Sequence, residues 1–371
     1  MNILLTAKQR GSVNVLAPVA RELFQRGHDA TIYATGNEIE AAGFSELEYK
    51  HIHPADSDYS KLVKNYDAVV VGLSGYDTSD GHFLRAANSA GIPTVAVQDQ
   101  NSNYLERLGV NPADLPTLLA LMSDDCVKTA RKELGGEMGE EAGKRSRVVG
   151  WTAFDNYAKM REDFTDESRV KLLAEVGINP ENPVYVHFTQ TIHPNTVYMA
   201  KVNRLFGQKV RDFLYELGVT QFTFEAASDS GLKLVVKPHP GEEFDRNYTK
   251  ELANRHGFTF IPARGCNTQQ LMLAAYSVTA GRSTCLTEST LLDRNTGGLI
   301  PDLGEEWVSP FSPLALGAIP YAQNWEGIKN ILEQVTSKDE EIVRKLAEDR
   351  KKFSVDGKAS KRLADLVESL I

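Results

Sequence analysis

Cysteine is scarce in this chain. Cys126, Cys266 and Cys285 are the only three among 371 residues, unevenly spaced and without a CxxC pair. That pattern excludes a disulfide framework or structural zinc site and suits reduced thiols in the cytoplasm. Positive charge is also in deficit, with 41 Lys and Arg against 50 Asp and Glu and a formal net charge of −9. Nucleic acid as the main partner requires a basic face, so that class is set aside, while a local basic pocket is still allowed. Long apolar runs are missing. No segment approaches the ~18 residues of a membrane span. The short run after Asn2 is too brief for a signal peptide and reads as a first strand. No solenoid-type repeat and no DxD-type metal signature occur. The first strand-to-helix turn lacks GxGxxG, which removes NAD and FAD as leading ligands.

What remains is an ordinary soluble composition, 42% hydrophobic and 25% charged. At about 150 residues per domain the length predicts two domains. Strand-like and helix-like segments alternate. NILLTA (2–7), HDATIYAT (28–35), a weaker FSELEYKHI (44–52), DAVVVGLS (67–74), IPTVAVQD (92–99) and RSRVVGW (145–151) read as strands, separated by helices such as 13–27 and 79–90. LPTLLALMSD reads as one further strand or helix. A polar helical stretch, 154–183, opens a second series with VYVHFTQ (184–190), KLVVKP (233–238), FTFIPA (258–263), SVTAG (277–281) and GGLIPDL (297–303). A long amphipathic helix is expected at about 195–217. Continuous apolar runs between helices indicate buried, mostly parallel strands. The expected division is 1–153, 154–336 and a helical tail, 337–371, that packs back on the N-terminal domain. The fold class is α/β, two doubly wound Rossmann-like domains facing a cleft, with ligands at the carboxyl ends of the strands.

Two strand-to-helix turns in the second half carry most of the functional information. In KPHPGE, Pro238 and Pro240 stiffen the backbone on either side of His239, so the imidazole and the following N–H groups aim at one spot. Lys237 adds a positive charge. In AGRSTCLTEST, Gly281 permits a sharp turn, Arg282 suits a bidentate phosphate contact, and Ser283 or Thr284 caps a helix whose free N–H groups attract anions. Glu288, four residues into that helix, is placed to accept both hydroxyls of a ribose. The competing readings are a stiff turn with a locally bonded histidine and a capped helix with a favourably placed acid. Together the turns point to a nucleotide diphosphate.

Other candidates follow from position. Arg10 and Gly11 lie in the first strand-to-helix turn, where both are expected to meet the diphosphate or, for Arg10, the transferred group. Thr189 and Gln190 end the first strand of the second domain, within reach of phosphate, while His187 inside that strand reads as a core histidine. Acid–base candidates follow strand 67–74 (Asp77, Asp80, His82) and end strand 92–98 (Asp99). Asp77 and Asp99 are the preferred bases. Asp80 has an alternative reading as a helix cap, and His28, after a helix-ending glycine, as structural.

These residues resemble a known superfamily. The opening strand, turn, helix and RGHDATIYAT exit resemble the start of GT-B glycosyltransferases, and the pair KPHPGE and AGRSTCLTEST resembles their donor-binding half. The pair is similar to that of non-hydrolysing UDP-N-acetylglucosamine 2-epimerases and of His-Pro-motif enzymes using cytidine nucleotides, capsule sugar transferases and teichoic-acid glycerophosphotransferases. The resemblance implies that His239 contacts donor phosphate, Ser283 and Thr284 bind it, Glu288 holds the ribose, and the backbone around Ile261 and Pro262 flanks the base. It implies a metal-independent transferase that takes a UDP- or CMP-type nucleotide sugar as co-substrate, with no further cofactor, and a carbohydrate or lipid-linked acceptor, the latter approached from the membrane surface. The epimerases' histidine–arginine–arginine–glutamate–asparagine run is replaced here by VHFTQTIHPN, which counts against epimerisation. A cell-surface glycosyltransferase is the leading expectation. An epimerase-like enzyme, a CDP-alcohol phosphotransferase and a non-catalytic nucleotide-sugar binding protein are the alternatives.

Overall fold

A computed structural model describes residues 1–8, 10–34, 49–51, 58–99, 103–189, 208–239, 246–281, 283–301 and 312–371. The chain divides into two compact units, Met1–Asn156 with Val355–Ile371, and Tyr157–Ser354. The expected tail is therefore shared. Helix Glu340–Arg350 belongs to the second unit and helix Ala359–Glu368 to the first.

Among its described residues the first unit holds seven strands, β1 (Asn2–Ala7), β2 (Asp29–Ala34), β3 (Tyr49–His51), β4 (Ala68–Gly72), β5 (Thr94–Val97), β6 (Leu118–Leu121) and β7 (Ser146–Val148). Their order is β3-β2-β1-β4-β5-β6-β7, and every pairing is parallel. Strand order reverses between β1 and β4, where Thr6 pairs with Val71. The run AVVVG is buried at all five positions, as a strand covered on both faces requires. Helix Arg10–Gln25 packs Val13, Leu16, Val19, Ala20 and Leu23 against this sheet.

Leu363, Ala364 and Val367 of the C-terminal helix join the same core. Asp155 accepts from the Ala359 and Ser360 N–H groups at 3.0 and 2.6 Å, which satisfies free donors at that helix start. At its far end Glu368 pairs with Arg26 at 2.7 Å and His28 at 2.6 Å. His28 thus serves to hold the tail on the first unit.

The second unit holds β8 (Tyr185–Phe188), β9 (Leu234–Lys237), β10 (Thr259–Phe260), β11 (Ser277–Ala280), β12 (Asn295–Leu299) and β13 (Tyr321–Ala322), ordered β10-β9-β8-β11-β12-β13 and again parallel. One face packs on Leu172, Leu173, Leu271 and Leu286, the other on Val219, Phe224, Ile328 and Leu332. The long helix falls at Gln208–Asp229 rather than 195–217; residues 195–207 lie outside the described residues. Gly218 and the β-branched Val219, Thr220 and Thr223 argue against helix locally. Burial of Val219, Phe224 and Ala227 overrides that preference, and the Thr223 hydroxyl returns to the Val219 carbonyl at 2.7 Å.

Candidate functional site

Register brings the two motifs together. In the second sheet Phe188 of β8 pairs with Lys237 of β9 on one side and with Ala280 of β11 on the other. The turns after β9 and β11 therefore flank the exit of β8 at Thr189. Strand order reverses at the β8–β11 pair, and the crevice at such a switch, beyond the carboxyl ends, is where open α/β sheets take ligands. Thr189 is buried, and its N–H donates to the Lys237 carbonyl at 3.2 Å.

On the β11 side, Gly281 is buried and its carbonyl accepts from the Ser283 N–H at 2.9 Å. Ser283 is the cap of helix Thr284–Leu291. Its hydroxyl accepts from the Cys285 N–H at 3.2 Å, and Thr284 is exposed at the first helical position. Glu288 sits one turn further along, half-buried. Its carboxylate accepts from the Gln269 amide at 2.9 Å and from the Tyr157 side chain. Burial pushes the Glu288 carboxyl above the usual range, and the two hydrogen bonds partly restore it. Gln269 and Tyr157 carry no local sequence signal. They meet Glu288 only because helix Thr268–Ala274 and the opening of the second unit pack beside helix Thr284–Leu291.

On the β9 side the two basic residues differ from expectation. Lys237 is 1% exposed, and its ammonium donates to the Ala263 carbonyl. It braces the turn after β10 from beneath, and burial pulls its pKa down. Cys266 and Cys285 lie near enough to feel its charge, and burial raises both thiols, Cys285 to about 11. They are protonated and poor nucleophiles. His239 is exposed, directly after buried Pro238, yet partial desolvation holds its imidazole below the usual range. It offers a neutral N–H rather than a cation at neutral pH. Ile261 is buried in the core, its N–H on the Val236 carbonyl at 2.9 Å, and Pro262 is exposed. Gln190 and Arg282 lie outside the described residues. His187 is buried, with Nδ1 3.1 Å from the Thr279 hydroxyl, and burial lowers its pKa to about 4.

In the first unit the candidates separate. Helix Arg10–Gln25 starts at Arg10, whose side chain lies outside the described residues. A Cβ on Gly11 would stand 1.7 Å from Asp99 Oδ2, so the Asp99 carboxylate lies against the first turn of that helix. The same carboxylate takes a 2.5 Å ion pair from buried Arg107, which also donates to the Leu73 carbonyl at 2.6 Å. Asp99 thus has two structural duties: it pairs with Arg107 and lies at the helix start where Gly11 was expected to meet phosphate. Asp77 is exposed in the turn after β4. Thr78, not Asp80, caps helix Ser79–Ser89, accepting from the Gly81 N–H at 3.5 Å. Among the described residues no three His, Cys, Asp or Glu side chains gather in a way that would hold a metal ion.

No protein-family profile and no curated protein matches the chain. Solved structures do. UDP-GlcNAc 2-epimerase from Methanocaldococcus jannaschii superposes with a TM-score of 0.66 at 15% identity over 100% of both chains. Its complex with UDP-GlcNAc and UDP gives 0.60 at 15%, again over 100% of both. MurG from Acinetobacter baumannii gives 0.60 at 12% over 99% of both. The glycosyltransferase VinC in complex with dTDP gives 0.50 at 12% over 100% of this chain and 99% of its own. At such identities the likeness concerns architecture: with its two parallel, doubly wound α/β sheets, the chain has the GT-B fold of these enzymes.

Proposed function

We propose that the chain is a nucleotide-sugar-dependent glycosyltransferase of cell-surface polysaccharide or glycoconjugate synthesis. One observation carries the reading. A capped helix start and a half-buried carboxylate one turn behind it stand at the switch of the second sheet. An anion at the helix start and a diol at Glu288 are the two ends of a nucleoside diphosphate. The donor's phosphates bind at the Thr284 end of the helix and at His239, its ribose at Glu288, and its base along Pro262 and the backbone of the turn that Lys237 braces.

The leaving group is an anion, and no metal is needed to receive it. Helix N–H groups and the neutral His239 N–H are fixed in place before charge develops on the departing phosphate. A carboxylate at the exit of β4 removes the acceptor proton. The acceptor is a carbohydrate or lipid-linked hydroxyl. Among the described residues no helix is long and apolar enough to cross a membrane, so a lipid-linked acceptor is met at the membrane surface.

Turnover of UDP-, GDP- and CMP-sugars by wild type and His239→Ala tests this reading. Loss of most donor turnover in the variant is the expected result; full activity with the best donor removes the phosphate role. The second reading is epimerisation, favoured by the likeness to the M. jannaschii enzyme. Conversion of UDP-N-acetylglucosamine with no acceptor present would establish it. Cleavage of a CDP-alcohol, or tight donor binding without any product, would point to the two remaining alternatives.

A further inference from the structure

The switch of the first sheet, between β1 and β4, has a carboxyl group built into it. Asp80 is 1% exposed, at the second position of helix Ser79–Ser89. Neither of its oxygens reaches full hydrogen-bond geometry with any described residue, and the same is true of Thr6 Oγ1, buried at the end of β1. The nearest polar groups are the Ser74 and Thr6 hydroxyls and the Lys8 backbone. Two other titratable groups face it, the Lys8 ammonium from the end of β1 and the Tyr59 phenol from helix Tyr59–Leu62. Neither offsets burial, which pushes the Asp80 carboxyl up to about 7. A carboxyl group so tuned exchanges its proton at neutral pH, as a general base must.

Ser74 connects this group to the surface. It is half-buried in the loop leaving β4, and its hydroxyl lies 3.2 Å from that of Ser12 on helix Arg10–Gln25. The other two carboxylates of this edge are less suited. Asp99 is held by Arg107, and Asp77 is open to water. We infer that Asp80 takes up the acceptor's proton through the Ser74 hydroxyl, an assignment that rests on the transferase reading above.

The acceptor O–H gives its proton to Ser74 Oγ while the Ser74 proton passes to the Asp80 carboxylate. The acceptor oxygen bonds to the sugar's anomeric carbon. The bond from that carbon to the nucleotide's phosphate oxygen breaks, and the phosphate keeps the electron pair. Asp80 returns the proton to solvent after product leaves. Ser74 touches the substrate, and Asp80 acts through it as a positioning residue. Loose contacts before substrate arrives are usual for such groups, which tighten in the reacting complex.

The test measures kcat/KM from about pH 5 to about pH 9 for wild type, Asp80→Asn, Ser74→Ala and Asp77→Asn with the best donor of the panel. In parallel, the Asp80 carboxyl carbon is followed by NMR in the donor-free protein. The wild-type rate should fall below about pH 7. Asp80→Asn and Ser74→Ala should lose that limb along with roughly 100- to 10,000-fold of rate, while Asp77→Asn keeps it. A carboxyl signal absent from Asp80→Asn should titrate near neutrality. If either key variant keeps the wild-type limb, or Asp80 stays ionised down to about pH 5, the assignment is overturned and the transferase reading stands. Absence of turnover by wild type with every donor overturns that reading, and the step assigned to Asp80 with it. Ser74→Ala, at a half-buried loop position, keeps the test informative if the buried Asp80 variant folds poorly.

Discussion

The Gln269 amide donates to Glu288 Oε2 at 2.9 Å, joining two helices 19 residues apart in sequence. With Tyr157 on the same carboxylate, it fixes the orientation of Glu288 before any ligand arrives. A diol acceptor held in this way loses little freedom on binding, and charge-assisted hydrogen bonds to it are stronger than neutral ones.

Glu288→Ala should therefore weaken nucleotide binding by about 10- to 100-fold, the loss of one or two hydrogen bonds to a charged group. Calorimetric titration with UDP and its 2′,3′-dideoxy counterpart checks this. Wild type should prefer the ribose form and the variant should bind both alike. A preference that survives the substitution places the ribose elsewhere. The pH dependence has a definite sign. Because burial raises the Glu288 carboxyl, affinity should fall on acidification at a higher pH than an ordinary glutamate would give.

His239 supplies a hydrogen bond and not a charge, since desolvation keeps it neutral. His239→Gln should then retain more activity than His239→Ala, and donor binding should not strengthen as the pH falls through the ordinary histidine range. A rise in affinity over that range would show that the imidazolium is the binding form.

Gly11 tests the first helix start. A Cβ there meets Asp99 Oδ2 at 1.7 Å. Gly11→Ala should cost about 1–3 kcal/mol of stability by forcing the carboxylate or the backbone aside. Gly11→Ala combined with Asp99→Ala should cost less than the sum of the separate losses, because the two positions touch. Denaturant unfolding of the four proteins measures the coupling. Strict additivity would mean that the two residues do not constrain one another.

The sheets were legible because apolar runs such as AVVVG have few other places to go, and the β9 and β11 turns were legible because proline, glycine and serine act on their own neighbours. Pairings between distant segments were not. Nothing next to Asp99 announces Arg107, and nothing in KPHPGE says that Lys237 turns inward to Ala263 while His239 stays outside. The helical residues 218–229 were missed for a related reason: burial against β9 and helix Gly327–Thr336 outweighs their local preferences.

His187 should make the second unit sensitive to acid. Its pKa falls from an unfolded value of ~6.5 to about 4 in the fold. The unfolded chain binds the extra proton first, so the stability contributed by neutral His187 is complete above about pH 6.5 and is lost as the pH falls toward about 4. His187→Gln should flatten that slope while keeping a partner for the Thr279 hydroxyl. Thermal unfolding across this window decides the point, since an unchanged slope would assign the acid sensitivity to other groups.

Asp80 should give the opposite slope in the first unit. Its folded pKa of about 7 lies above an unfolded value of ~3.9. Between these values the native state holds the proton and the unfolded chain does not, so stability declines as the pH rises from about 4 through about 7. At still higher pH the ionised carboxyl is buried with weak hydrogen bonding, and the Lys8 ammonium that faces it offsets only part of the cost of burial, an arrangement that lowers stability. Asp80→Asn should remove the slope, match wild type at about pH 4 and melt several degrees higher at pH 8. A variant equally or less stable than wild type at pH 8 would mean that the Lys8 and Ser74 groups compensate the charge, and that the carboxylate is the resting form of this residue.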